Sequence, residues 1–366
     1  MERVIKRFVE YAKIDSETLN EANFKDRLKK DLEDLGLEVY EDKKAGEVVG
    51  SNSGNLIAKL KGEGDKTILF SSHMDTVSPG VGIEPYVDDD GVLRSTGDTI
   101  LASDDKAGVS AIMEMLTILK EENIPHHNIE VVFTISEEGG LKGSKNLDYS
   151  KINADFGIVL DSGGSAGHTV VHAPAQSKVY VTFKGKSAHA GVAPEDGVSA
   201  IVIAAEAISN MKLLRIDEET TANIGSIHGG GPTNIVTDSV RIEAEARSLD
   251  NDKLKAQVDH MVKCVKDAQE KYKIEAEIEI VEAYKSFKIE EDAAPVVAVK
   301  EACEKLGFEF KPATSGGGSD TNNYNLNGIP AVNLGVGMTK AHSVDEFCKV
   351  EDIVNGAKLI TEIARG

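Results

Sequence analysis

The 366-residue sequence has no tryptophan, only three cysteines and 5% aromatic residues, and far fewer basic residues (41) than acidic ones (62). Each shortage excludes something. Cys264, Cys303 and Cys348 are odd in number and widely spaced, with no Cys-x-x-Cys pair, so neither a disulfide framework nor a structural zinc site is expected. A net charge of −21 argues against nucleic acid or an anionic membrane as partner. No apolar run approaches the length of a membrane span. The N-terminus, Met1-Glu2-Arg3-Val4-Ile5-Lys6-Arg7, lacks the apolar core of a signal peptide, so a cytoplasmic protein is expected.

What is present is a globular composition, 40% hydrophobic and 28% charged, in a chain long enough for two compact units. Helical spacing of Val4, Ile5, Phe8 and Val9 opens the chain, and a second helix is expected from Asn20, as cap, to Leu35. Strands follow at Leu37–Tyr40, Asn55–Leu60 and Thr67–Ser72, with Gly62-Glu63-Gly64-Asp65 read as a hairpin turn between the last two. Asp89-Asp90-Gly91 marks another hairpin. A helix over Lys106–Lys120, a buried strand over Ile129–Ile135 and a short strand over Phe156–Leu160 complete an α/β pattern. It predicts a mixed, mostly parallel sheet covered by helices on both faces.

The pattern changes near Ser177. Strand, helix (Gly197–Leu214), two strands, a helix over Asp252–Tyr272 and a last strand give the β-α-β-β-α-β order of a small α+β domain. The chain then returns with two more helices, a Gly-rich loop and the strand Ala331–Leu334. The expected organisation is a discontinuous catalytic domain, 1–177 and 284–366, with residues 178–283 inserted.

Ligand-type side chains recur where the predicted strands end. His73-Met74-Asp75 follows Thr67–Ser72, Glu137-Glu138 follow Ile129–Ile135, Asp161 follows Phe156–Leu160, and His342 lies beyond Ala331–Leu334. Asp104-Asp105 precede a helix. Singly, each has an ordinary reading as a turn or a solvated side chain. Jointly they lie where open α/β sheets place their sites. Five ligands suit two metals: His73 and Asp161 on one, Glu138 and His342 on the other, Asp104 bridging. Mixed His and carboxylate donors without thiolate point to two Zn²⁺, replaceable by Mn²⁺ or Co²⁺. Two divalent ions outweigh three carboxylates, leaving a positive centre that acidifies water and polarises a carbonyl. Asp75 would orient His73. Glu137, assigned to neither metal, is the expected general base.

His73-Met74-Asp75-Thr76-Val77, Asp104-Asp105-Lys106-Ala107-Gly108 and Glu137-Glu138-Gly139 resemble, in order and spacing, the motifs of the co-catalytic zinc metallopeptidase family that includes peptidase T, aminoacylase and succinyl-diaminopimelate desuccinylase. The likeness spans the chain and is greatest to the peptidase T branch, from Gly97-Asp98-Thr99 to Lys106. It implies hydrolysis of small peptides, foremost as a tripeptide aminopeptidase. A dipeptidase or N-acyl amino acid deacylase is the alternative, and a non-catalytic binding protein the rival of another class. It also implies a cis Asp104–Asp105 bond, and a lid and dimerisation role for the inserted domain, hence a homodimer. By the same resemblance His189, in Lys186-Ser187-Ala188-His189-Ala190-Gly191, would hold the oxyanion, often from the partner subunit. Asn234 and Arg247 would bind substrate, as would the loop with Gly317 and Ser319. One departure concerns the last motif. In the peptidase T branch the final His is followed closely by Glu, whereas Ala341-His342-Ser343-Val344-Asp345-Glu346 carries a longer spacer, leaving strict tripeptide specificity open.

Overall fold

The computed structural model describes residues 2–365 and divides into two compact units. The first takes the chain up to His172, Lys288–Ser315, and from Ser319 onward; the second takes Ala173–Phe287 and Gly316–Gly318. The first stretch contains strands β1 (Glu38–Asp42), β2 (Asn55–Leu60), β3 (Thr67–His73), β4 (Pro85–Val87), β5 (Val92–Ser95), β6 (Asn128–Thr134), β7 (Phe156–Gly163) and β8 (His168–Ala173). Its helices are α1 (Arg3–Ala12), α2 (Ala22–Asp34), α3 (Lys43–Val49), α4 (Ser103–Glu121) and α5 (Lys142–Lys145). Next come β9 (Ala175–Lys184), α6 (Ala200–Asn210), β10 (Leu214–Arg215), β11 (Thr220–Gly229), β12 (Ser239–Ser248), α7 (Asn251–Tyr272) and β13 (Glu275–Tyr284). The return adds β14 (Phe287–Lys288), α8 (Ala294–Leu306), β15 (Lys311–Thr314), α9 (Asp320–Leu326), β16 (Ala331–Met338), β17 (Phe347–Lys349) and α10 (Val350–Arg365).

The large sheet runs β1-β2-β6-β3-β7-β16-β8-β14, with β15 also on β8. Its centre, β6-β3-β7-β16, is parallel. Alternate residues of these strands feed two cores. Phe70, Val131, Ile158 and Val332 face one, against α1, α4 and α10; Leu69, Val132, Val159 and Ala331 face the other, with Tyr324 of α9. Strands apolar at both parities need both faces covered, and the predicted α/β architecture is found. Helix α4 is buried on nearly every side, which explains why its apolar residues show no clean stripe.

Several expectations are corrected. β2 and β3 form no hairpin: β6 lies between them, antiparallel to β2 and parallel to β3. The glycines of that turn serve a close approach instead, since a Cβ on Gly62 would sit 2.2 Å from the His126 carbonyl oxygen. His126 and His127 are accordingly half-buried, and the His127 N–H donates to the Ala364 carbonyl. Asn20 does not cap α2, which starts at Ala22 behind Glu21. Glu21 is fully buried and accepts from the Ser136 N–H at 3.1 Å.

In the second unit the sheet order is β10-β11-β12-β9-β13, antiparallel throughout, with α6 and α7 packed on it. The helix expected over Gly197–Leu214 is shorter at both ends. Val198 pairs with Lys186 through two 2.9 Å bonds, Ser199 caps α6, and Leu214 enters β10 in the left-handed region at φ +64°. β9 and β13 each run ten residues, so the units change over at Ala173 and Phe287, outside the expected 178 and 283.

Gly108, in the first turns of α4, sets how closely that helix meets the sheet. A Cβ there would lie 2.2 Å from the Leu160 carbonyl oxygen and 2.6 Å from Asp105 Oδ1. Gly108→Ala is expected to lower unfolding stability by about 1–3 kcal/mol, the usual cost of overpacking. A denaturant midpoint unchanged from the parent protein would contradict that close approach.

Candidate metal centre

The sites of the first unit lie at the C-terminal ends of its parallel strands. His73 is the last residue of β3, Asp161 lies near the end of β7, and Glu137-Glu138 follow β6. Asp104 opens α4 with non-helical backbone angles, and the Asp104–Asp105 peptide bond is cis, as the resemblance implied. His342 follows β16 in the left-handed region, at φ +64°. Ala102 (φ +61°) and Ser136 (φ +49°) are left-handed too, each just before a ligand-type residue. Non-glycine residues held there cost on the order of 1–3 kcal/mol each and persist only where surrounding bonds fix them.

The geometry divides about Asp104. Its Oδ1 lies 2.9 Å from His73 Nε2, and its Oδ2 lies 3.2 Å from His342 Nε2. On the first side Asp161 Oδ1 is 3.8 Å from His73 Nε2; on the second Glu138 Oε1 is 2.9 Å from His342 Nε2. Donor atoms of His73, Asp104 and Glu138 all lie within 4.8 Å of one another, as do those of His73, Glu137 and Asp161. Glu137, taken from sequence as a base alone, thus stands within ligand reach of the first pair. It is buried, at 8% exposure.

Asp75 registers the pieces. The His73 Nδ1 lies 2.9 Å from the Asp75 carbonyl oxygen and 3.5 Å from its carboxylate. A carbonyl can only accept, so Nδ1 carries the proton and Nε2 turns to the centre. The Asp75 carboxylate accepts from the N–H of Glu137 (2.9 Å), the N–H of Glu138 (3.2 Å) and the Thr18 hydroxyl (2.8 Å). One carboxylate therefore locks the end of β3 to both glutamates. Asp105 is not part of the cluster's open side. It bonds the Ser72 hydroxyl and accepts from the N–H groups of His73 and Gly108.

Charge is the dominant feature. Burial pushes the Glu137 carboxyl well above the ordinary range, and the Asp161 charge adds to it. Burial likewise raises Asp161 and Glu138, the latter opposed by His342. Burial would raise Asp104 as well, but hydrogen bonds from His342 and His73 outweigh it and hold its carboxyl low. Burial lowers His73, yet Asp104 and Asp75 carry its pKa well above normal. His342 is raised to about 10 by Asp104 and then Glu138.

The residues fit a pair of cations. Glu138 Oε1 is buried without an aligned hydrogen-bond donor, although a His342 nitrogen lies 2.9 Å away. Two nitrogens and several carboxylate oxygens converging on one bridging carboxylate form a hard-to-intermediate donor set with no sulfur.

The other sequence-expected residues fall elsewhere. His189 and Asn234 lie in the second unit, both exposed, joined where the Ala190 N–H donates to the Asn234 carbonyl at 2.8 Å. Arg247 and Gly317 also belong there. Arg247 Nε donates to Glu245 Oε1 at 2.9 Å, and its Nη1 reaches the Gly316 carbonyl at 3.4 Å. Ser319, in the first unit, caps α9 in a capping box with Asn322. Sequence reasoning missed Glu21, and it marked Glu346 only as the end of the spacer after His342; both are buried glutamates that bond backbone beside the cluster.

A carboxylate set between two His–carboxylate pairs, with a further buried Glu at hand, is an arrangement that could hold metal cations. The sequence profile of Peptidase family M20/M25/M40 matches residues 69–366. The chain belongs to that family of peptide-bond hydrolases. It is 47% identical to the Bacillus subtilis protein YqjE, over 99% of this chain and 97% of that one. The crystal structure of aminopeptidase PepT from Bacillus cereus superposes with TM-score 0.90 at 47% identity, covering 99% of this chain and 97% of that one. A tripeptidase from Staphylococcus aureus gives 0.95 at 42%, with the same coverage.

Cation binding is expected to release protons. His342, raised to about 10, holds a proton at neutral pH that a cation must displace, so apparent affinity rises with pH until His342 is neutral near 10. Each proton released gives roughly tenfold per pH unit. Calorimetry in buffers of different ionisation enthalpy should detect the release, and affinity flat between pH 6 and 8 would refute it.

Proposed function

We propose that the protein is a cytoplasmic dinuclear zinc aminopeptidase that releases N-terminal residues from small peptides, tripeptides foremost. The observation that carries this is Asp104, one oxygen toward His73 and the other toward His342, with Glu137 buried alongside. Zinc suits the sulfur-free nitrogen and oxygen donors, with Mn²⁺ or Co²⁺ as replacements. Cations held by His73, Asp161, Asp104, Glu138 and His342 would polarise the scissile carbonyl and acidify water. Glu137 then takes the water's proton and passes it to the leaving amine, a role that suits a carboxyl that burial makes more basic than usual.

The end of the peptide attacked is supported by the likeness to the aminopeptidase of Bacillus cereus and the tripeptidase of Staphylococcus aureus. In the second unit, His189 would hold the oxyanion, Arg247 the substrate carboxylate, and Asn234 and the backbone at Gly317 the peptide itself. A homodimer formed through that unit belongs to the same reading, supported by exposed Ile201 and Val202 on α6. The three cysteines are free and buried, which suits a reducing compartment.

Unblocked tripeptides should be hydrolysed and N-acetylated ones spared; equal rates on both would move the activity to a deacylase or endopeptidase. Glu137→Gln should keep both metals and lose about 10²–10⁴-fold in kcat, the usual contribution of a general base. Full turnover by that variant, with metal bound, would remove Glu137 from the role.

A further inference from the structure

Glu346 is a buried carboxylate, 2% exposed, that accepts four hydrogen bonds, all from one short segment. Its Oε2 accepts from the N–H groups of Leu101 (2.8 Å) and Ala102 (3.0 Å). Its Oε1 accepts from the Ser103 hydroxyl (2.5 Å) and the Asp104 N–H (3.0 Å). Among the described residues no lysine or arginine pairs with it. A buried anion tolerates that environment only because its acceptor capacity is used in full.

The segment it binds is the turn that presents the bridging Asp104, and it includes the left-handed Ala102. Glu346 itself stands at the base of the His342 loop. That loop is closed by reciprocal 3.0 Å bonds between Thr339 and Phe347, and the Glu346 N–H donates to the Ser343 carbonyl at 3.0 Å. One side chain thus ties the loop carrying one terminal ligand to the turn carrying the bridge. Asp104 has non-helical backbone where α4 begins, and the His342 loop lies between β16 and β17, so neither is held there by regular hydrogen bonding.

We propose that Glu346 is a positioning residue for the metal centre: it sets the distance between Asp104 and His342, and so the second cation's affinity, without touching a cation itself. This rests on the dinuclear reading of the centre. Glutamine supplies one acceptor oxygen in place of two, so Glu346→Gln leaves two of the four donors facing an NH₂ group. Ser103→Ala removes a single donor and keeps the carboxylate.

The test is Zn²⁺ affinity of the full chain, measured by competition with a chromophoric chelator, with far-UV circular dichroism of the chelated proteins alongside. The parent should bind two equivalents. Glu346→Gln should weaken one equivalent by about 10–100-fold, the usual effect of losing an outer support of a ligand, with unchanged dichroism. Excess Zn²⁺ should restore hydrolysis, a rescue that a merely unfolded variant would not show. Ser103→Ala should shift the same equivalent by less. If the parent binds two equivalents and both variants match it, the positioning role is overturned while the metal centre stands. If the parent binds none, the metal centre falls and the inference with it. Should Glu346→Gln be recovered unfolded, Ser103→Ala decides alone, and affinity equal to the parent's overturns the proposal.

Discussion

The first unit is built around a crowd of carboxyl groups that cannot all be ionised together. Asp75, Asp104, Asp105, Glu137, Asp161 and Asp320 are buried or nearly so within one region, with His73 and His342 as their cationic partners. Burial disfavours each charge, and each charge disfavours the next. Removing such a cluster from water is tolerable only where donors or cations answer it. Two kinds of answer are visible. Asp75, Asp105, Asp320 and Glu346 are satisfied by backbone N–H groups and hydroxyls: Asp320, for instance, accepts from Thr134 and Ser144 at 2.5 Å. Asp104, Glu137, Glu138 and Asp161 keep oxygens aimed at a common space. The difference separates the residues that build the cluster from those that use it.

How the cluster is reached from the sequence explains what could be read there. The ligand-type residues were legible because each ends a strand or opens a helix, and those ends are marked by β-branched apolar runs and glycine pairs. The alternation in the second unit was legible for the same reason, as β9 shows. The insertion of β6 between β2 and β3 was not. Local sequence made Gly62-Glu63-Gly64-Asp65 look like a turn joining neighbours, whereas pairings of both strands with the distant β6 decide the order. Nothing local encodes that, because both β2 and β3 offer β6 a suitable edge.

The supporting roles of Glu21 and Glu346 were illegible for a different cause. A lone glutamate in a polar stretch carries no periodicity, and its meaning depends on which distant N–H groups fold against it. Glu21 meets Ser136 across more than a hundred residues, and Glu346 meets Leu101 across more than two hundred. Both land on residues just before a ligand-type side chain. Side-chain chemistry marks a ligand in sequence; its supports are marked only by topology.

That division bears on how the proposed base and the neighbouring candidate ligand stay distinct. Glu137 and Glu138 are adjacent in a chain whose backbone bends at the left-handed Ser136. Both N–H groups donate to the one carboxylate of Asp75, whose carbonyl oxygen also fixes the His73 ring. The two glutamate side chains then diverge, Glu138 toward His342 and Glu137 toward His73 and Asp161. Their proposed roles as base and ligand therefore rest on main-chain registration by a residue proposed for neither. A change at Asp75 would move Glu137, Glu138 and the His73 imidazole together, which makes it the least separable position in the centre.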